Sequence, residues 1–287
     1  MVTRILVTGS INYDEIAVVD HLPDEHEKVT AKTYYSGLGG SAANTATWLA
    51  ESTALSVSVV GIVGADQPGQ QCVEQLERSG VITDAVIRVP SWPTPKAWCW
   101  TDGPHKWIVT SRGSSEPSIP EHTAVGLMDG IRHIHVSSRL DPRLSGILLG
   151  TYKTTATVSV ELNGKDMAEL RAIADLVFMN SRELRSVFGI DVEQLDAETI
   201  RRIAPKRGSA LVITDGTHKA LSADKEHTYV LPVAPVEGIV DRTGAGDAFN
   251  AGYLLSWLAG ADSPACLEQG LVTSARVLTQ LGGSRRL

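Results

Sequence analysis

The residues with the clearest chemical potential are Asp241-Arg242-Thr243-Gly244-Ala245-Gly246-Asp247. They run straight into Ala248-Phe249-Asn250-Ala251-Gly252-Tyr253-Leu254-Leu255, apolar at most positions, which predicts a buried helix. Gly244, Ala245 and Gly246 are small enough for an anionic group to approach the backbone. The first N–H groups of a helix lack intrahelical partners and carry the positive end of its dipole. The junction is therefore an anion site, with phosphate the expected anion. A carboxylate inside such a cradle is costly unless it has a task. The task that fits Asp247 is general base, taking the proton of a hydroxyl that attacks a phosphoryl group. The alternative is a plain N-cap, for which Asp is a favoured residue.

A second glycine cluster, Gly37-Leu38-Gly39-Gly40-Ser41-Ala42, matches the spacing G-x-G-x-x-A of a dinucleotide fingerprint. It does not follow the first strand of the chain, the strand before it alternates and is polar, and no acid stands about twenty residues on at the end of a buried strand. A tight turn with helix packing is one reading. Another is that Gly39 and Gly40 let a sugar-like ligand touch backbone, with Asn44 offering both a donor and an acceptor.

These residues have to be positioned by the elements around them. Apolar runs predict strands over residues 5–8, 57–63, 86–89, 131–136, 156–161, 176–179 and 210–214, with helical patterns over 41–51 and 68–79 and in other intervals. Residues 37–40 read as a turn. Residues 220–221 and 228–231 could pair as a small hairpin. A last helix starts at Asp262-Ser263-Pro264, a cap followed by proline, and ends near Gly282-Gly283. Alternating strands and helices predict an α/β fold with a mainly parallel sheet. Residues 16–35 and 86–110 fall outside that rhythm and read as a small β lid, its hairpin at 97–101 and 106–110 turning at Asp102-Gly103-Pro104. In open α/β sheets ligands sit beyond the carboxyl ends of the strands. Asn12 with Asp14, Asn180, Asp215 with Gly216, and the 241–247 loop all fall at such ends, which points to one shared site.

The 287 residues are 43% hydrophobic and 21% charged, ordinary for a globular protein, with a net charge of −7. That balance argues against a nucleic-acid binder. Cys72, Cys99 and Cys266 suggest neither a disulfide framework nor a zinc site. The start Met1-Val2-Thr3-Arg4-Ile5 reads as a strand rather than a signal peptide, and no apolar run is long enough to span a bilayer, so a cytoplasmic protein without membrane contact is expected. There is no G-x-x-x-x-G-K-[ST], H-E-x-x-H or G-x-S-x-G. His133 and His135 share a strand face, where packing is the commoner role than metal binding.

Together the motifs resemble the ribokinase-like (PfkB) family of carbohydrate and nucleoside kinases. Gly39-Gly40-Ser41-Ala42-Ala43-Asn44-Thr45-Ala46 resembles its first signature and Asp241 to Phe249 its second. Gly9-Ser10-Ile11-Asn12-Tyr13-Asp14 resembles its sugar-contacting start, and Asn180-Ser181-Arg182-Glu183 its N-x-x-E element. The resemblance implies a three-layer α/β fold with a mainly parallel central sheet, as a single domain over residues 1–287, its lid strands drawn from about residues 12–36 and 86–112. It implies an ATP- and Mg²⁺-dependent kinase acting on a hydroxymethyl group of a sugar, with Asp247 as base and the Gly244, Ala245 and Gly246 amides around the transferring phosphoryl. Asn12, Asp14, Gly39, Gly40 and Asn44 would meet the sugar. Asn180 and Glu183 would organise Mg²⁺ and phosphates through water, and Thr214, Asp215 and Gly216 would lie along the nucleotide. Asp241 and Thr243 could help hold a monovalent cation such as K⁺. Asn180 and Glu183 also fit a capping box, and Asp14 a turn.

Two departures from the family pattern stand out. Lys219 occupies a position where a glycine often follows Gly216, and Arg242 replaces a small or hydroxyl residue. Trp92, Trp98, Trp100 and Trp107 crowd the expected lid, where they could stack on a base or sugar, join two lids in a homodimer, or simply pack. A nucleoside kinase is the alternative within the family. Outside it, the alternatives are a non-catalytic sugar- or nucleotide-binding regulator and an NAD enzyme.

Overall fold

The computed structural model describes residues 2–286 except 104, 112–116, 119–128, 138–155, 164–169, 205–209 and 225. Nine strands form the main sheet: β1 (Thr3–Thr8), β4 (Leu55–Gly64), β5 (Val86–Val89), β8 (His133–Val136), β9 (Thr157–Glu161), β10 (Leu176–Asn180), β11 (Ala210–Asp215), β12 (Lys219–Ala223) and β13 (Thr228–Pro232). Their order is β13-β12-β11-β10-β9-β8-β1-β4-β5. All neighbours are parallel except at β12 and β13, which add an antiparallel edge.

The parallel strands are apolar on both faces, as a sheet covered by helices on both sides requires. In β1, Leu6 enters one core cluster while Ile5 and Val7 enter the other. In β10, Val177 and Met179 face one way and Leu176 and Phe178 the other. The described helices are α1 (Ser41–Leu49), α2 (Gln67–Arg78), α3 (Ser181–Phe188), α4 (Ala197–Ile203), α5 (Ala245–Leu258) and α6 (Ser263–Val277). The apolar run after Asp247 is buried from Ala248 to Leu254, as helix α5.

A second sheet is built from β2 (Asn12–Val18), β3 (Thr33–Gly39), β6 (Lys96–Thr101) and β7 (Lys106–Ser111), in the order β3-β2-β6-β7. Several expectations change here. The glycines at 37–39 are not a turn: they finish β3, pairing Gly37 with Asp14 and Gly39 with Asn12. Within the expected lid segment 16–35, residues 29–32 stay outside β3, which begins at Thr33. Residues 86–89 do not belong to the lid, because Val86–Val89 runs parallel to Gly61–Gly64 at the edge of the main sheet. The last helix stops at Val277 and leaves Gly282 and Gly283 beyond it. The lid hairpin forms as expected, although Pro104 of its turn lies outside the described residues.

Trp92 is buried in the same core cluster as Ile62 and Ile134 rather than in the lid. Register places Trp98 opposite Glu15, and Trp100 opposite Ala17 and Trp107. Alternation therefore sets these three tryptophans on the sheet face opposite to Asp14, Cys99 and Lys106.

Candidate active site

From β1 the chain builds β4 and β5 on one side, and later β8 to β11 on the other. The crevice beyond the carboxyl ends of β1 and β8 is thus the switch point where an open α/β sheet binds ligands. The small sheet leaves the body there, because β2 begins four residues after β1 ends.

Asp14 and Asp247, far apart in sequence, converge at this crevice. Asn44, in the first turn of α1, donates from Nδ2 to Asp247 Oδ2 at 2.7 Å. Asn44 is 3% exposed, and its own Oδ1 has no partner. Asp14 is 6% exposed, and its Oδ1 is likewise buried without a partner. Buried acceptors left open are costly, and each calls for a donor. Burial pushes the Asp14 carboxyl up to about 7, with the charge of Asp247 adding to the shift and Lys106 opposing it. Burial pushes Asp247 up to about 6, opposed by the Asn44 hydrogen bond and by Lys106. Gly40 precedes α1 with φ +93, and a side chain there would meet Ser10 O and the Asn12 N–H. Only glycine allows this approach, which draws Asn12 toward Asn44.

Gly244 caps α5 in the left-handed region, φ 75. It lies so close to Gly283 that a Cβ on Gly244 would collide with the Gly283 Cα. Gly283 in turn touches Asn44 and accepts a hydrogen bond from Trp48 Nε1 at 2.9 Å. At Gly246 an added Cβ would meet nothing, so open space lies beside the start of α5, where the Ala245 amide makes only a long bond to Arg242 O at 3.4 Å. Asp241 is fully buried, and its carboxylate is already answered by donors: Thr243 N at 2.9 Å, Thr243 Oγ1 at 2.8 Å and Gly282 N at 3.0 Å.

At the ends of β9 and β10 stand Glu161 and Asn180. Asn180 and Glu183 do form the capping box: Asn180 Oδ1 accepts from the Arg182 and Glu183 amides, and Glu183 Oε2 accepts from the Asn180 amide at 2.8 Å. Burial, then the Asp247 charge, raises the Glu183 carboxyl against the Asn180 hydrogen bonds. Burial raises Glu161 further, with the charges of Asp247 and Glu183 adding, and its buried Oε2 has no partner. Among the described residues, no group of three or more His, Cys, Asp or Glu is arranged to hold a metal ion unaided. His133 and His135 are buried and bonded to Ser159, His133 also to Thr157, which is a packing role.

Next to the loop that opens α5 lies a cavity of about 1240 Å³, walled largely by apolar residues such as Val233, Ile239, Leu271 and Ala275. Thr214, Gly216, Ala245 and Gly246 all line it. Asp215 does not line it and faces His218 at 3.4 Å instead. Lys219 lines it while paired with Glu193 at 2.7 Å, and Arg242 stands at its edge.

A family model described as pfkB family carbohydrate kinase matches residues 2–286. The chain belongs to that family. It is a phosphotransferase whose acceptor is an alcohol group. It is 30% identical to the ATP-dependent ribose-1-phosphate kinase of Halopiger xanaduensis over 95% of this chain and 92% of that protein. It is 26% identical to the nucleoside kinase of Methanothermobacter thermautotrophicus over 91% and 85%. Its fold is that of Arabidopsis thaliana ribokinase complexed with ribose and ATP, with a TM-score of 0.81 over 98% of this chain and 94% of that one, at 22% identity. The NAD reading falls, because Gly37–Gly39 is a strand of the small sheet rather than the turn after a buried parallel strand.

Sequence reasoning missed three residues of this kinase's crevice. Glu161 could have been found, since an acid ending the apolar run Val158–Val160 obeys the same strand-end rule that singled out Asn180. Lys106 and Gly283 gave no local signal, because their roles depend on contacts with segments distant in sequence.

Proposed function

We propose that this kinase transfers the γ-phosphoryl group of ATP to a hydroxymethyl group of a sugar. The observation that carries the reading is the Asn44–Asp247 hydrogen bond, which joins the two signature segments in one crevice beside the open acceptor atoms of Asp14 and Asn44. Two buried oxygens in want of donors are suited to sugar hydroxyls. Asn12, Gly39 and Gly40 would shape the same pocket. Asp247 takes the proton of the attacking hydroxyl; the new O–P bond forms as the bond to the bridging oxygen of ADP breaks. Gly244, Ala245 and Gly246 offer their amides to the phosphoryl oxygens. The nucleoside of ATP would occupy the apolar cavity by Thr214 and Gly216, with its phosphates toward Gly246.

Glu161 and Glu183 suit Mg²⁺: one has an orphaned buried oxygen, and both are pushed up, by burial first and then by nearby negative charge. Mg²⁺ keeps most of its waters and needs only one or two carboxylates beside the phosphates, which matches a pair too dispersed to enclose an ion. When bound, it would neutralise phosphate charge. A monovalent cation at Asp241 and Thr243 would join a carboxylate already met by three donors, and turnover in K⁺ against a bulky organic cation tests for it.

A panel of pentoses, hexoses, ribose 1-phosphate and nucleosides, followed by ADP release, is expected to give one clear winner among the sugars. The ribose-1-phosphate kinase relative puts that sugar phosphate in the panel, and the nucleoside kinase relative supports the alternative acceptor class. The tryptophans that would favour a nucleoside stand on the far face of the small sheet. ADP release indifferent to every acceptor would favour a binding regulator instead. For the exposed outer face carrying Trp107 and Val109, 59% and 55% exposed, a second copy of this chain is the proposed cover. Light scattering should then give a dimer for the wild type and a monomer for Trp107→Lys; a monomeric wild type rejects it.

A further inference from the structure

Lys106 opens β7 on the small sheet, yet its only described side-chain hydrogen bond is to the other side of the crevice, Nζ donating to Thr243 Oγ1 at 3.2 Å. That hydroxyl already donates to Asp241 Oδ1, so it meets the lysine with a lone pair. A neutral hydroxyl is a slight partner for an ammonium group with three donors. Two N–H bonds remain for something else, one residue away from Gly244 and the anion loop.

We propose that Lys106 is a catalytic residue: with the small sheet closed over the crevice, its ammonium group binds the phosphoryl group in transit above the Gly244–Gly246 amides. This rests on the kinase reading given above. The charges around it fit the task. Asp14 from β2 and Asp247 from α5 both feel the lysine, and Asp241 adds to the negative charge at Asp14. Glu161 from β9 and Glu183 from α3 both feel the charge of Asp247, while Asn44 from α1 is neutral. As Asp247 accepts the acceptor proton it loses its charge, and the ammonium is left to the equatorial oxygens, where charge is spread during transfer. The bond from lid to loop also links catalysis to closure, since the cation reaches the loop only from the small sheet.

The test compares wild type, Lys106→Gln and Lys106→Arg with the best acceptor. Lys106→Gln is expected to lose about 10²–10³-fold in kcat with both KM values little changed. Lys106→Arg should recover part of the loss, because guanidinium also binds phosphoryl oxygens. The acid limb of kcat should move to higher pH in Lys106→Gln, since the lysine opposes the upward shift of Asp247. Calorimetry with ADP, Mg²⁺ and tetrafluoroaluminate should show affinity reduced at least about tenfold in Lys106→Gln, with ADP alone unaffected. An unchanged kcat overturns the proposal. So does a raised acceptor KM with intact kcat, which would make the lysine an anchor for an anionic acceptor. A rise in both KM values without movement of the acid limb would make it a latch and also overturns it. If no acceptor supports turnover in the wild type, the kinase reading fails on its own, and the tetrafluoroaluminate measurement still decides Lys106.

Discussion

Asp247→Asn is expected to lower turnover by about 10²–10⁴-fold, the usual worth of a positioned general base. The substitution is close to isosteric. An amide oxygen at the same place still accepts from Asn44 Nδ2, so the 2.7 Å contact that joins α1 to α5 can survive. It removes a charge that burial makes expensive and that raises Glu161 and Glu183. The variant should therefore fold at least as well as the wild type, and its thermal midpoint should not fall. ATP binding in the cavity beside Gly246 should persist, so the loss belongs to kcat rather than to the KM for ATP. The pH dependence follows from the same carboxyl. A base must be ionised, and burial pushes Asp247 up to about 6. Wild-type kcat should rise with pH through that region and then level off, while the residual rate of Asp247→Asn should lack that limb. Wild-type turnover in the variant would leave Asp247 as a cap only.

The glycine-capped start of α5 was legible because its signal is local: small residues, an acid and a buried helix in one run of sequence. The same holds for the parallel strands, whose apolar runs on both faces mark a covered sheet. What was not legible depends on pairing between distant segments. Gly37-Leu38-Gly39 reads as a turn because glycine carries no strand signature, yet β2 supplies the ladder that makes it a strand. Val86–Val89 stands next to the Pro-rich interruption that leads to the small sheet, but its partner is Gly61–Gly64. The lid tryptophans count as an aromatic cluster in sequence, and only the register of β2, β6 and β7 shows which face they take. Asn180 and Glu183 form the capping box, and Glu183 also feels the charge of Asp247, a proximity that the local spacing could not reveal.

Gly283→Ala should reveal how closely the two signature segments are set. Its backbone is not in the left-handed region, so alanine brings no conformational penalty there. The penalty is steric. A Cβ on Gly283 would meet Asn44 Nδ2 at 2.5 Å and Gly244 Cα at 2.8 Å, both closer than packed atoms tolerate. Gly244 is backbone at a helix start and Asn44 is buried and bonded to Asp247, so neither can swing aside freely. The segment 282–284 must then retreat, pulling on the Gly282 N–H held by Asp241 and on the Gly283 carbonyl held by Trp48. Overpacking of this kind costs about 1–3 kcal/mol, which should lower the thermal midpoint without unfolding the protein. A shift of about 1 Å in catalytic geometry costs about 10²-fold in rate, and that is the loss expected in kcat. The cavity proposed for the nucleotide, lined by Thr214 and Gly216 but not by Gly283, should keep its affinity for ADP. A variant with full activity and a lowered midpoint would mean that the Gly244–Gly283 contact serves packing alone, and that the amides of the anion loop hold their positions without it.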